Sequence, residues 1–559
     1  MRKYIYILFL FLTALQVKGQ PKNEIRAAWI TTAYGLDWPK SKATSSLGIR
    51  KQKQELINIL NKLKEANINT VLFQARLRGD VIYPSNIEPF NEMLTGKEGQ
   101  DPGYDPMAFA LEECHKRGME CHAWIVTVSL GSNKHIKDLG RSSVTLKYPK
   151  MCKRYRNEWF LDPGNPQSKE YLFSIVKEII TKYDVDGVHF DYIRYPENAP
   201  AFPDNDTFRK YGKGKNLKEW RRDNITAIVR RLYQGTKEMK PWVKVSSAPI
   251  GKFNDLSRYS SKGWNAYNTV YQDAQGWLRE GIQDILFPML YFKGNNFYPF
   301  ALDWQEKSLG RFIVPGLGIY FLHPSEGNWP LSEIERQIYF TRSNNFSGQA
   351  HYRAQFLVEN TQHLQDELVN LHYAYPALQP AMKWQDSIPP TAPENLSCTV
   401  RDGNTYLKWT NAKDNDIRNA PFYTVYASES YPVDITSSKN IVAQRIYGTE
   451  FTYSTIYPWQ SKRYFAVTAC DRYGNESKAV QLPQPHFTPF VSSTGYELIL
   501  PSDANYTDIT IVDITGQCVL EAEYSERVSI SNLKPGSYRI ILTDKEGKNR
   551  AGGMFLKWM

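Results

Sequence analysis

Between residues 24 and 383, short β-branched or apolar runs alternate with segments whose apolar positions recur every three or four residues. Thr70-Val-Leu-Phe-Gln reads as a strand, and the segment before it sets Leu56, Ile59, Leu60 and Leu63 on one helical face. Asp105-Pro106 opens a further helix and Gly118 closes it, while Asn165-Pro166 starts one that carries Leu172, Ile175, Val176 and Ile179. Strands are predicted at 25–32, 70–74, 121–126, 187–191, 243–247, 285–291, 312–318 and 348–352, with helical patterns between them. Eight such units predict a (β/α)8 TIM barrel rather than an open doubly wound sheet.

After Ile388-Pro-Pro-Thr-Ala-Pro the period changes to two, in Tyr406-Leu-Lys-Trp, Tyr423-Thr-Val-Tyr-Ala and Tyr464-Phe-Ala-Val-Thr-Ala. That alternation predicts a small β-sandwich over 392–484. A second proline-marked boundary at 485–489 leads to another all-β pattern, so 486–559 is predicted to be a C-terminal β-sandwich. The fold class is therefore multidomain, a barrel followed by two small sandwiches.

Composition adds three points. Hydrophobic residues at 42% and charged residues at 23% exclude a disordered, collagen-like or multi-span membrane protein. Residues 1–19 read as a signal peptide: Arg2 and Lys3 precede an apolar run too short to span a bilayer, and small residues follow it. Its removal takes three cations, Arg2, Lys3 and Lys18, and no acid, lowering the net charge from +11 to +8. No run of five like charges occurs, so nucleic acid is not expected as a partner, and no integral membrane segment is expected after signal removal. The expected location is periplasmic, cell-surface or extracellular. Cys114, Cys121, Cys152, Cys398, Cys470 and Cys518 form neither a disulfide framework nor a CxxC metal pair, although Cys398 and Cys470 could be neighbours. The third point is an aromatic excess, 14 Trp, 36 Tyr and 26 Phe, which calls for a use.

Active sites of such barrels are built at the C-terminal ends of the strands. Alternation along Asp186-Gly-Val-His-Phe-Asp191-Tyr-Ile-Arg194-Tyr-Pro196 puts a carboxylate at the mouth of strand four, with an arginine three residues on. Other acids expected at the mouth are Asp37, Asp80, Asp255, Asp273 and Glu326. Glycoside hydrolysis commonly uses two carboxyl groups, so Asp191 is the leading catalytic candidate, with Asp273 and Glu326 as candidates for the second. Asp273 could instead cap a helix. Trp29, Trp38, Tyr83, Trp124, Tyr192, Tyr195, Tyr291 and Trp329 fall at or just after strand ends, where flat rings could stack on sugars. His122, His189 and His351 lack HxH or HxxxH spacing, so neither a metal nor another cofactor is expected. No GxSxG elbow points to an acyl enzyme.

The segments Ile25-Arg-Ala-Ala-Trp-Ile-Thr-Thr, Leu36-Asp-Trp-Pro39, Arg78-Gly-Asp80, Gly103-Tyr-Asp-Pro, His122-Ala-Trp124, Trp159-Phe-Leu-Asp-Pro-Gly164 and Asp186–Pro196 resemble glycosyl-hydrolase-like family ten over nearly all of 24–372. The resemblance implies a secreted barrel that cleaves peptidoglycan glycan strands lacking stem peptides. Carried over by position, it implies Asp191 as catalytic carboxylate and Asp37, Arg76, Asp80, His122, Trp124, Tyr192, Arg194 and Tyr291 as cleft residues. Tyr192 stands where some members carry a second Asp. Residues 392–484 resemble a fibronectin type III module, and 486–559 resemble C-terminal β-domains of secreted Bacteroidetes proteins, some of which are sorting signals and others accessory sandwiches. The expected activity is thus hydrolysis of an amino-sugar polymer. A hydrolase of dietary or host polysaccharide and a non-catalytic glycan-binding barrel are the alternatives, and the oligomeric state stays open.

Overall fold

The computed structural model describes residues 20–558, apart from 198, 402–403, 455–461, 463, 483–489, 492–494 and 501–505. The predicted signal peptide and the boundary at 485–489 lie outside the described residues. Parallel strands Ile25–Ile30, Thr70–Arg76, Glu120–Val126, Gly187–Asp191, Lys244–Ser247, Ile285–Leu286 and Gly348–His351 form one sheet with two further short strands, Phe312–Ile313 and Gly316–Leu317. These last two are successive parts of one run broken at Val314-Pro315. Phe312–Ile313 pairs with the sixth strand and Gly316–Leu317 with the eighth, so the seventh closes the ring. Proline lacks the N–H that a continuous ladder needs, which accounts for the break.

Local chemistry sets the helices. Ser45, Asp105, Asn165 and Asn216 cap Ser46–Glu65, Pro106–Lys116, Pro166–Lys182 and Leu217–Met239, each side chain accepting a backbone N–H of the first turn. Pro106 and Pro166 occupy first-turn positions, where no N–H partner is lost. Leu56, Ile59, Leu60 and Leu63 are buried, as their spacing predicts. The barrel strands are buried on both faces, so the first three read mainly as apolar runs, while Gly187–Asp191 alternates Val188 and Phe190 with His189 and Asp191. An antiparallel excursion after the third strand, Ser129–Ser132, Cys152–Tyr155 and Glu158–Leu161, was not expected from the sequence.

Two antiparallel units follow. The first has sheets of three and four strands between Glu394 and Gln481, closed over Leu407, Trp409, Val425 and Val467. The second has the same arrangement from Phe490 to Lys557, around Leu498, Ile509, Ile511 and Ile540. All six cysteines are free. Cys398 and Cys470 lie on strands of different sheets, so the pairing considered for them is not made.

The middle unit packs on the N-terminal ends of the barrel strands. Arg445 reaches Glu120 at 3.2 Å and Asp186 at 2.5 Å, and Lys244 holds Glu120 at 2.5 Å. Arg472 meets Asp184 at 2.9 Å, and Tyr473 joins the barrel core. At the opposite end, where the strands finish, Tyr192 is exposed beside a groove.

Candidate active site

Alternation carries four side chains inward on two neighbouring strands: His122 and Trp124 on strand three, His189 and Asp191 on strand four. Gly187 leaves room for them, since a Cβ there would lie 2.6 Å from the His122 ring. His189 fills the barrel interior, 5.9 Å from Trp29 and 5.2 Å from Phe287, both edge to face. Trp29 Nε1–H donates to His189 Nε2 at 3.1 Å, which leaves the ring proton on Nδ1, 3.0 Å from Ser246 Oγ. Burial, with a smaller effect from His122, holds His189 well below the usual histidine range, so it is a neutral strut.

Asp191 sits above this layer. Its Oδ2 accepts Trp124 Nε1–H at 3.2 Å and its Oδ1 accepts the Tyr192 N–H at 2.7 Å. Thr127 donates to the Asp191 carbonyl through both its amide and its hydroxyl, each at 2.9 Å, so the backbone is fixed as well. Burial raises the Asp191 carboxyl to about 6, against the opposing effects of the Tyr192 amide, Arg194 and Trp124. A carboxyl in that range is protonated at mildly acidic pH and can donate a proton.

The chain turns sharply at Tyr192, whose φ of 49° is rare for a tyrosine. The turn leaves Tyr192 exposed at the mouth, beneath which Arg194 lies with its guanidinium 4.7 Å from the Tyr192 ring. Across the cleft Tyr291 stacks on Tyr352 at 5.2 Å, and Tyr320 meets Tyr291 edge to face at 5.8 Å. Tyr352 is raised by burial first, then by the charges of Asp191 and Asp37, so its phenol lies in the field of both. A groove of about 430 Å³ continues from Tyr192 and Arg194 along Tyr155, Arg156, Glu158 and Glu197.

Several expected cleft residues are placed elsewhere. Trp38 is fully buried, donates to Gln52 O at 2.8 Å and packs on Phe73, and Tyr83 is buried against Tyr183. Neither ring can stack on a sugar, because the chain after strands one and two folds back over the helices. Arg76 is fully buried and gripped by Glu88, with the Val126 and Thr127 carbonyls as further acceptors. His122 is fully buried beside Glu120 at 3.1 Å, and Trp29 is sealed within the barrel. Asp37 spends both oxygens on Arg353, the Gln355 amide and the Thr31 amide. Asp273 caps Ala274–Arg279 through the Gly276 N–H and lines an outer groove with Trp220 and Glu280. The structure thus gives Asp273 the capping role. Glu326 is exposed on the loop carrying Tyr320, whose phenol its charge raises after burial does, and Trp329 stacks on Phe321 in the same loop at 4.5 Å. Asp255 is used internally by Ser260 and Ser261.

Asp80, Glu98 and His135 form the one cluster among the described residues with donor atoms close enough for a metal, all within 4.8 Å. The imidazole turns Nδ1 toward Glu98 at 3.3 Å, while Nε2 lies 3.1 Å from the Arg78 carbonyl and 3.4 Å from Asp80, so the acids address opposite nitrogens. That is the geometry of an imidazolium between two carboxylates, and it ties the loops after strands two and three together. Tyr352, Tyr320 and Trp264 were missed by sequence reasoning. Tyr352 directly follows strand eight, as Tyr192 follows strand four, and that equivalence was the available signal.

A closed ring of parallel strands with a buried carboxyl at one strand mouth, set among phenols beside an open groove, is where a barrel enzyme places its site, and the relatives make the class glycoside hydrolase. Residues 24–315 match the Glycosyl hydrolase-like 10 family, and the chain belongs to it. It is similar to Glycosyl hydrolase YngK of Bacillus subtilis (strain 168), 30% identical over 494 residues that cover 84% of this chain and 95% of that protein. Glycosyl hydrolase DigH of Escherichia coli (strain K12) is 34% identical over 295 residues, 49% of this chain and 66% of the relative. Among solved structures, α-L-fucosidase isoenzyme 2 from Paenibacillus thiaminolyticus aligns with a TM-score of 0.42 and 14% identity, over 63% of this chain and 49% of that one. Residues 494–551 match a Secretion system C-terminal sorting domain, which marks the chain for secretion to the surface or the medium. Among the described residues, no helix is long and apolar enough to cross a membrane.

Proposed function

We propose that this secreted glycoside hydrolase cleaves an amino-sugar polymer, with peptidoglycan glycan strands lacking stem peptides as the substrate. The observation that carries the catalytic assignment is the Asp191 carboxyl, raised to about 6 by burial at the mouth of strand four. Asp191 acts as general acid, protonating the glycosidic oxygen as the leaving group departs, a step that contributes roughly 10²–10⁴-fold in rate. Trp124 and the Tyr192 amide orient its two oxygens. Tyr192, Tyr291 and Tyr352 offer rings for the sugar faces, with Arg194 beside them. Glu326, on the mouth side in the Tyr320 loop, is the candidate for the second carboxylate. The middle unit is read as fibronectin type III-like, a brace rather than a second catalytic body.

Secretion to the surface or the medium puts the protein among extracellular glycans, and the matched relatives, named glycosyl hydrolases, support a glycan substrate. Incubating the full chain with denuded glycan strands should release oligosaccharides with new reducing ends, and Asp191→Asn should release none at a matched folded concentration. Equal release by both proteins would overturn the assignment of Asp191. Cleavage of soluble dietary or host polysaccharides in place of the denuded strands would move the substrate to that class.

A further inference from the structure

Large buried guanidinium groups in this chain are matched to acids. Arg26 meets Glu24 at 2.8 Å, Arg76 meets Glu88 at 2.6 Å, Arg221 meets Asp204 at 2.6 Å and Arg445 meets Asp186 at 2.5 Å. Arg194 departs from this pattern. It is 6% exposed, yet no carboxylate lies within 4.0 Å of it among the described residues. Its Nη1 makes one long hydrogen bond, 3.3 Å to Tyr195 O, and its Nε is sealed from solvent without an acceptor. The rings of Tyr192 and Trp264 hold the guanidinium plane at 4.7 and 5.9 Å. A buried cation that is held in place but not neutralised is costly unless a ligand completes it.

Arg194 lines the groove of about 430 Å³ that runs from Tyr192 past Tyr155 to Glu197. The acids on that groove, Glu158 and Glu197, are exposed and therefore screened by solvent, whereas the guanidinium is buried and acts at low dielectric. We propose that this groove, which begins at Tyr192, the residue after Asp191, is a subsite for a carboxylate borne on a substrate sugar, and that Arg194 is its receptor. The proposal rests on the reading that the Asp191 cleft binds a glycan chain. A planar guanidinium suits a carboxylate better than a hydroxyl because it presents paired N–H donors and full charge. Two sugar carboxylates have this chemistry, the lactyl ether of muramic acid once its stem peptide is gone and the C6 carboxylate of a uronic acid.

The test uses the full chain and five glycans: denuded peptidoglycan strands, the same strands with their carboxylates methyl-esterified, neutral chitin oligosaccharides, a polyuronate and the methyl ester of that polyuronate. Denuded strands should exceed their esters in kcat/KM by about 10- to 100-fold, the range of a charge-assisted pair. The difference should lie in KM, and chitin oligosaccharides should behave like the esters. Arg194→Gln should bring strands and esters level, and Arg194→Lys should restore part of the gap. Preference for the polyuronate over its own ester, with denuded strands refused, would keep the carboxylate subsite and assign it to uronic acids. Equal cleavage of strands and esters by the parent protein would overturn the subsite and leave the hydrolase reading intact. Failure to cleave or bind any of the five would overturn the amino-sugar reading of the cleft and the subsite with it. The ester comparison needs no variant, so it stands even if Arg194→Gln does not fold.

Discussion

Asp186 directly precedes the five-residue strand that Asp191 ends, and burial pushes both carboxyls up. At the closed end Arg445, His115 and Arg472 outweigh burial and hold Asp186 well below the usual carboxylate range. At the open end Tyr192, Arg194 and Trp124 do not, and Asp191 stays at about 6. The difference separates two uses of a buried acid. Where each charge is answered by another, the network fastens the middle unit to the barrel. Where acid and arginine are both left incompletely answered, a ligand and a proton transfer have room to enter.

The contrast is sharpest in catalysis, where Asp191→Asn should lower kcat by about 10³-fold or more, while the parent and variant keep the same far-UV spectrum. The corresponding break at the closed end is Arg445→Met. Leaving Glu120 and Asp186 buried without this partner should cost about 3–5 kcal/mol in urea unfolding, with kcat of the folded fraction unchanged. Loss of activity without loss of stability in that variant would remove the division of roles between the two ends.

The two ends should also answer pH in opposite directions. Burial alone would raise Glu120, but Lys244, His122 and Arg445 outweigh it and pull the carboxyl down to about 2. The stability Glu120 adds is therefore full above its ordinary 4.5 and is lost as pH falls toward 2. Asp191 is raised, so its contribution is full below 3.8 and is lost as pH rises through about 6. Asp191→Asn should therefore gain roughly 2–3 kcal/mol over the parent between pH 4 and pH 8, seen as a growing difference in unfolding free energy. The smallest effect belongs to Asp273. Asp273→Ala should cost about 1 kcal/mol through the lost helix cap and leave activity on any glycan unchanged.

Much of this layout was legible in the chain. Helix starts at Asp105 and Asn165, the apolar faces, and the inward alternation of His189 and Asp191 depend on neighbours a few residues apart, and local pattern reports those. The division of aromatics was not legible. Trp38, Tyr83 and Tyr192 all follow strands, but whether a loop turns into the cleft, as at Tyr192, or back over the helices, as at Tyr83, depends on contacts far along the sequence. For the same reason Arg76 read as a cleft residue although Glu88 and two carbonyls hold it as a strut. The partner of Asp186 was equally hidden, since Arg445 comes from another unit 259 residues away.

In the proposed mechanism Asp191 delivers a proton from a carboxyl titrating near pH 6. The most direct test of this is the pH dependence of kcat on denuded glycan strands at saturating substrate. An alkaline limb centred near pH 6 is expected, with kcat falling about tenfold per pH unit above it as the acid deprotonates. A kcat that stays level from pH 5 to pH 8 would contradict it.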